Sequence, residues 1–340
     1  MKNNNNFLSL LCDYLNTYLP LMKGISPNTI LSYKSTFRLF VKFMYEKKGI
    51  SADHIKFVDL DYETLSDFFN WIEEDRQCSA STKNQRLSAM MSFSKYAQNR
   101  DIDAACSFRN ALLKIPMKKQ QHKKRSVFTR DEISIFLSIP DNKTAIGQRD
   151  RVLLSVMYAS GARGQEICDL KVRNIHFNDK GAILDITGKG EKTRRVSIPV
   201  QCASLLKQYM EYKHICSKLD NYVFSSQTHN QMSVAGIEAL FKKYLRKAKE
   251  ENPDLFNENN YSPHTLRHSC ASHMLESGVP IIVIKNFLGH ASIQTTEIYA
   301  EISQETVDKK LLEWNKQWHF DLNDNDTSEN AKEIIPDFLK

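Results

Sequence analysis

The chain has no apolar run approaching the roughly 18 residues that a membrane helix requires. Its most apolar stretch, residues 152–159, has the length of a buried helix segment. Met1-Lys2 and four asparagines lead into Phe7-Leu8-Ser9-Leu10 and then meet Asp13, so the apolar region of a signal peptide never develops. The expected location is therefore the cytoplasm. Seven cysteines, at 12, 78, 106, 168, 202, 216 and 270, include no Cys-x-x-Cys pair. An odd, scattered set argues against a disulfide framework and a paired-cysteine zinc site, and suits reduced thiols packed as small apolar residues. No internal repeat is present, which leaves an ordinary globular chain of 340 residues, 41% hydrophobic and 26% charged, with room for two cores.

The net charge of +7 conceals an asymmetry. Residues 319–340 hold six acids against Lys332 and Lys340, a net of −4, which leaves +11 on the first 318 residues. A surplus of that size favours a polyanionic partner.

Helical periodicity dominates residues 7–113. Ser26-Pro27 offers an N-cap followed by proline at the first helical position, and Ile30, Tyr33, Phe37, Phe40, Val41 and Met44 then recur at helical spacing. Tyr62 to Ile72 and Ser81 to Tyr96 repeat the pattern, predicting a small bundle of three or four short helices. Residues 114–125 contain Pro116 and six cations, Lys114, Lys118, Lys119, Lys123, Lys124 and Arg125. This composition predicts a linker, either laid along phosphates or simply a solvated hinge. Lys83 and Arg86 join Lys118, Lys119, Lys123, Lys124 and Arg125 as DNA-binding candidates.

Thr129-Arg130-Asp131-Glu132 is a capping box that opens a second domain. A helix over 149–159 would deliver Arg163 just beyond its end. Residues 182–186 and 195–199 flank Gly188-Lys189-Gly190 as the only clear sheet. Helices resume through Trp318, and the acidic last 22 residues read as a mobile tail. The expected domains are 1–113 helical, 114–128 linker, 129–318 catalytic and 319–340 tail. The fold class is mainly α with a small β-hairpin or sheet in the C-terminal domain.

Six polar residues in the second half suit phosphodiester chemistry. Arg163 and Arg267 can clamp non-bridging oxygens, because a guanidinium grips two oxygens and keeps its proton. His264 lies three residues before Arg267, on one face of a helix. His264 and His268, spaced i and i+4, could also hold a metal, but no third ligand is evident, and Thr265 stands where a zinc-protease helix needs glutamate. Lys189, in a glycine-flanked turn, can protonate a departing 5′-hydroxyl, with Lys192 as a nearby rival. His290 would add a hydrogen bond to the phosphate, and Tyr299 is a candidate nucleophile among 13 tyrosines that include Tyr158, Tyr244 and Tyr261. Glu166 would position Arg163.

The order and spacing of Arg163, Lys189, His264, Arg267, His290 and Tyr299 resemble those of the tyrosine recombinase (phage integrase) family, including Xer-type recombinases and transposon integrases. This resemblance implies an N-terminal SAM-like core-binding bundle and a C-terminal tyrosine recombinase domain. It favours Lys189 over Lys192 and Tyr299 over the other tyrosines. It further implies double-stranded DNA as partner, a homotetramer on two duplexes, a four-way junction and a 3′-phosphotyrosyl intermediate, which needs no metal and no cofactor because reversal by a 5′-hydroxyl conserves the bond energy. The amphipathic stretch 305–318 would dock on a neighbouring protomer or in its own core. Integration, excision or transposition of a mobile element is the expected role. Xer-like resolution of multimers, topoisomerase-like relaxation and an inert accessory protein are the alternatives. Gly164 departs from the family, where a larger apolar residue is common, which would loosen the Arg163 loop. No room remains for an additional arm-binding domain.

Overall fold

The computed structural model describes residues 6–119, 125–188, 192–258 and 260–289. The chain divides into two compact units, Met1–Lys123 and Lys124–Lys340. Among the described residues no helix is long and apolar enough to cross a membrane.

In the first unit, α1 (Asn6–Asp13) runs into a π-helical stretch (Tyr14–Met22), followed by α2 (Pro27–Lys48), α3 (Tyr62–Glu74), α4 (Ala80–Gln98) and α5 (Ile102–Leu113). Ser26 caps α2 as expected, accepting a hydrogen bond from Thr29 N, and Asp61 and Ser79 do the same for α3 and α4. The bundle is larger than the three or four short helices expected, since α2 alone has 22 residues. The helix missed at α5 buries Ala105, Phe108, Ala111 and Leu112. Two of its four anchors are alanines, which barely mark an apolar face. Phe93 joins these helices, with Phe7 at 5.7 Å and Phe37 at 5.2 Å packed edge-on against it.

Two of the candidate DNA contacts are tied to this unit instead. Lys83 is buried on α4, its Nζ 2.6 Å from Glu73 Oε2, and Lys118 Nζ lies 2.7 Å from Glu73 Oε1. The Lys118 backbone also exchanges two hydrogen bonds with the Asn84 side chain, at 3.0 and 2.8 Å, and Ile115 enters the core. Residues 114–118 are therefore stapled to the bundle, and Lys83 has no open ammonium to offer a phosphate. Lys119 and Arg125 are exposed, Arg86 is half-buried, and Lys123 and Lys124 lie outside the described residues. Lys83→Met should cost about 1–3 kcal/mol in urea unfolding, the penalty for leaving a partly desolvated carboxylate short of one partner. Its salt dependence of binding to non-specific duplex should match wild type. A slope reduced by about one would return Lys83 to the phosphate contacts.

The second unit starts with α6 (Arg130–Ser138) and α7 (Ala145–Ser160). The expected capping box is present: Thr129 N donates to Glu132 Oε2 at 2.8 Å and Glu132 N to Thr129 Oγ1 at 3.1 Å. Thr144 caps α7, holding Gly147 N at 3.0 Å, so that the helix starts at Ala145, four residues before the expected start. After α8 (Gly164–Cys168) comes an antiparallel sheet of β1 (Ile175–Asn178), β2 (Gly181–Thr187) and β3 (Thr193–Pro199), in that order. Leu184 pairs with Ile175 on one side and Val196 on the other. Strand β1 is hard to see in the sequence because Ile-His-Phe-Asn alternates over four residues only, too short a run to establish a period. The sheet's inner face, Ala182, Leu184, Ile186, Val196 and Ile198, packs into a core shared with α7 and with α9 (Val200–Tyr212). The unit continues through α10 (Val234–Glu251), α11 (Pro263–Glu276) and α12 (Ile281–Leu288). The expectations for 305–318 and 319–340 fall outside the described residues.

Candidate active site

Helix α7 stops at Gly161, whose φ of 57° is a left-handed cap conformation. A side chain there would meet Leu288 Cδ2 at 2.7 Å, so glycine serves both the turn and the approach of α12. Two residues later Arg163 precedes α8, and Glu166, at the third position of that helix, folds back on it. The Glu166 carboxylate accepts Arg163 N at 2.8 Å through Oε2 and Arg163 Nη1 at 2.8 Å through Oε1. Local chain geometry thus orients Arg163, whose side chain stays 38% exposed while that of Glu166 is 4% exposed. Gly164, between them, is buried with an ordinary backbone conformation, and an added Cβ would meet only Val234 Cγ1, at 3.8 Å.

Arg194 on β3 completes the carboxylate's shell. Its Nη1 and Nη2 donate to Glu166 Oε1 and Oε2 at 3.0 and 2.8 Å, and its Nε donates to Phe287 O at 3.0 Å. Burial alone would raise the pKa of Glu166, but the hydrogen bonds and charge of Arg194, together with those of Arg163, outweigh it and hold the carboxyl below its ordinary value. Glu166 is accordingly a carboxylate at neutral pH.

Arg267, on the second turn of α11, is 3% exposed. Its Nη1 donates to Gly161 O at 2.5 Å and its Nη2 to Leu288 O at 2.7 Å. Phe287 and Leu288 end α12, where carbonyls lack helical partners and the helix dipole is negative; two arginines answer both needs. Gly289 follows with φ 66°, and a Cβ there would lie 2.9 Å from Arg194 Cδ. The next residue in the sequence is His290. Lys189, His290 and Tyr299 lie outside the described residues, as does the choice between Lys189 and Lys192; Lys192 is exposed, and its carbonyl accepts Gly188 N at 2.9 Å across the hairpin stem.

His264 sits in the first turn of α11, an open position, while Arg267 one turn on points inward. Desolvation lowers the imidazole pKa first, followed by the positive charges of Arg267, Arg163 and Arg125, with Glu238 opposing. The ring of His268 lies 6.4 Å from that of His264. Among the described residues no group of three His, Cys, Asp or Glu is placed to hold a metal.

Sequence reasoning missed Arg194 and His273. Arg194 was discoverable: it stands two residues before Val196 and four before Ile198, on the face of β3 that the strand's period of two turns inward. His273 is buried, with Nε2 2.9 Å from Phe128 O and Nδ1 2.9 Å from Tyr158 Oη. A carbonyl only accepts, so Nε2 carries the proton and Tyr158 donates to Nδ1. The other rival tyrosines are similarly occupied. Tyr244 donates to the buried Asp150 at 2.9 Å, and Tyr261 stacks on Phe128 at 4.8 Å. Burial pushes all three phenols above their ordinary pKa, Tyr261 to about 12.

The family model of the phage integrase family matches residues 126–306, more than half of the chain, and that of the phage integrase N-terminal SAM-like domain matches residues 13–101. The chain belongs to the phage integrase family of tyrosine recombinases. It is a site-specific tyrosine recombinase, an enzyme that breaks and rejoins DNA strands. A putative integrase/recombinase y4rC of Sinorhizobium fredii is 30% identical over 81% of this recombinase and 82% of that protein. A tyrosine recombinase XerD of Listeria monocytogenes is 29% identical over 91% of this chain and 98% of its own. The fold matches that of XerH recombinase bound to its difH substrate, at 20% identity and a TM-score of 0.64, over 84% of this recombinase and 79% of XerH. It also matches the Tn1549 transposon integrase with circular intermediate DNA, at 14% identity and a TM-score of 0.67, over 88% and 98% of the two chains.

Proposed function

We propose that the recombinase cuts one strand of a duplex by attack of the Tyr299 phenol on the scissile phosphorus. The new bond is a 3′-phosphotyrosyl ester, and the bond to the 5′-oxygen breaks as Lys189 supplies that oxygen with a proton. Arg163 and Arg267 neutralise the charge that develops on the non-bridging oxygens, His264, an imidazole with a lowered pKa, takes the phenolic proton as the phenol attacks, and His290 hydrogen-bonds the phosphate. Guanidiniums fixed before the reaction need no reorganisation as that charge appears. A 5′-hydroxyl from a second strand then attacks the phosphotyrosine and releases the phenol, so exchange proceeds isoenergetically. The observation that carries this reading is the convergence of α8, β3, α11 and α12 on one network, Arg163–Glu166–Arg194 beside Arg267.

Double-stranded DNA is the proposed partner, followed by Lys119, Lys123, Lys124, Arg125 and Arg86 along its phosphates, with Lys118 sharing its charge with Glu73. The proposed working form is a homotetramer on two duplexes that passes through a four-way junction in the cytoplasm. Mobile-element movement is the favoured role, and the similarity to XerD supports multimer resolution as the second reading. The test is recovery of the protein under denaturing conditions from cells carrying its native locus, with sequencing of DNA still attached. One attached site supports the reading, and absence of an adduct turns it towards an inert DNA-binding protein.

A further inference from the structure

Five N–H donors radiate from an arginine, and three of those of Arg194 are committed within the domain: two to the Glu166 carboxylate and one to Phe287 O. Both the fork and Nε of Arg194 thus face protein acceptors, and its side chain is 13% exposed against 38% for Arg163, which it braces through the shared carboxylate. The acid that it holds is the acid that orients Arg163. The carbonyl that it holds belongs to the last turn of α12, two residues before Gly289-His290 in the sequence. The adjoining carbonyl, Leu288 O, is held by Arg267. Packing around the Arg194–Glu166 pair is tight: a Cβ on Gly289 would come within 2.9 Å of Arg194 Cδ, and one on Gly188 within 3.1 Å of Glu166 Oε1.

We propose that Arg194 is a positioning residue that locks the Arg163–Glu166 unit to the C-terminal turn of α12, so that the two halves of the phosphate clamp are set together by one side chain. This rests on the proposed chemistry of the site. A guanidinium suits the task because its planar fork spans the carboxylate while Nε, pointing elsewhere, reaches a carbonyl, and because its charge does not titrate. Lysine has one nitrogen at the end of a flexible stem and cannot serve both partners in this geometry.

The experiment compares wild type with Arg194→Met, Arg194→Lys, Glu166→Gln and the Met/Gln double variant, all full-length. The probe is a duplex carrying the site that wild type marks covalently. Arg194→Met should slow single-turnover cleavage at saturating DNA by about 10- to 100-fold, the scale of loss from a slightly misplaced reacting group, with the Kd for DNA changed less than about twofold. Arg194→Lys should fall between the two. The double variant should be no slower than the worse single variant by more than about threefold, since both act through one carboxylate. Cleavage at the wild-type rate by Arg194→Met, or multiplicative losses in the double variant, would overturn the proposal. Amide hydrogen exchange supplies a readout that needs no turnover: Arg194→Met should speed exchange both in 161–167 and in 286–289 while α9 stays protected. Acceleration at one of these segments alone, at neither, or across the whole unit would count against the lock. A wild type that marks no DNA would refute the proposed function, and the exchange data would still decide whether Arg194 joins the two segments.

Discussion

Tyr299→Phe should bind a site-bearing duplex within about twofold of wild type and form no covalent adduct, a loss of cleavage of at least about 10⁴-fold, as expected when a nucleophile is removed outright. Only the phenolic oxygen is lost, so no positive charge and little packing changes, and affinity that rests on phosphate contacts is preserved. The prediction is sharp because the rival phenols are spoken for. Tyr158 donates to His273, Tyr244 to Asp150, and Tyr261 stacks on Phe128, and all three resist ionisation. A gel-based single-turnover assay on a nicked duplex, which traps the adduct by letting the cut fragment diffuse away, reads the result directly. Cleavage by the Phe variant at a measurable rate would place the nucleophile elsewhere.

Arg267→Ala should damage the protein in two separable ways. Its guanidinium satisfies two carbonyls, Gly161 O and Leu288 O, in a buried setting. Stranding them costs about 1–3 kcal/mol each, so urea unfolding should show a loss of about 3–5 kcal/mol with part of that range offset by local relaxation. Removal of a fixed charge near the reacting phosphate should slow cleavage by a further 10²–10³-fold or so, even in the folded fraction at saturating DNA. Arg267→Lys divides the two effects: it retains the charge but can meet only one carbonyl well, so it should recover more rate than stability. Unchanged cleavage in Arg267→Ala would remove this residue from the chemistry, and unchanged unfolding would mean that the two carbonyl bonds do not hold α12 in place.

What could be read before folding depended on how each signal is written in the chain. Caps are local, so Ser26, Thr129 and the turn after α7 appeared in the sequence near where the structure has them. The spacing of the polar residues in the second half was equally legible, and it led to the family. Burial of charge is not local. Lys83 looked like any helical lysine until Glu73, ten residues away in the chain, was found at 2.6 Å. Arg194 reaches Phe287, which is 93 residues distant, and nothing near either residue announces the contact. His264 and Arg267 share a helical face by spacing, yet one opens outward and the other turns in, because the carbonyls that claim Arg267 come from the ends of α7 and α12.

Gly164 has a consequence for the chain before it folds. Its conformation within α8 is one that alanine adopts without strain, and the space around its Cβ position is open to ordinary van der Waals contact. The conformational freedom of this glycine therefore belongs chiefly to the unfolded ensemble, since in the folded domain Glu166 already pins the Arg163 backbone and side chain on the preceding residue. Gly164→Ala should raise the unfolding free energy by about 0.4–1 kcal/mol in urea titration through lost denatured-state entropy. Cleavage should proceed at the wild-type rate, and a slower rate would show instead that the first turn of α8 must flex during strand exchange.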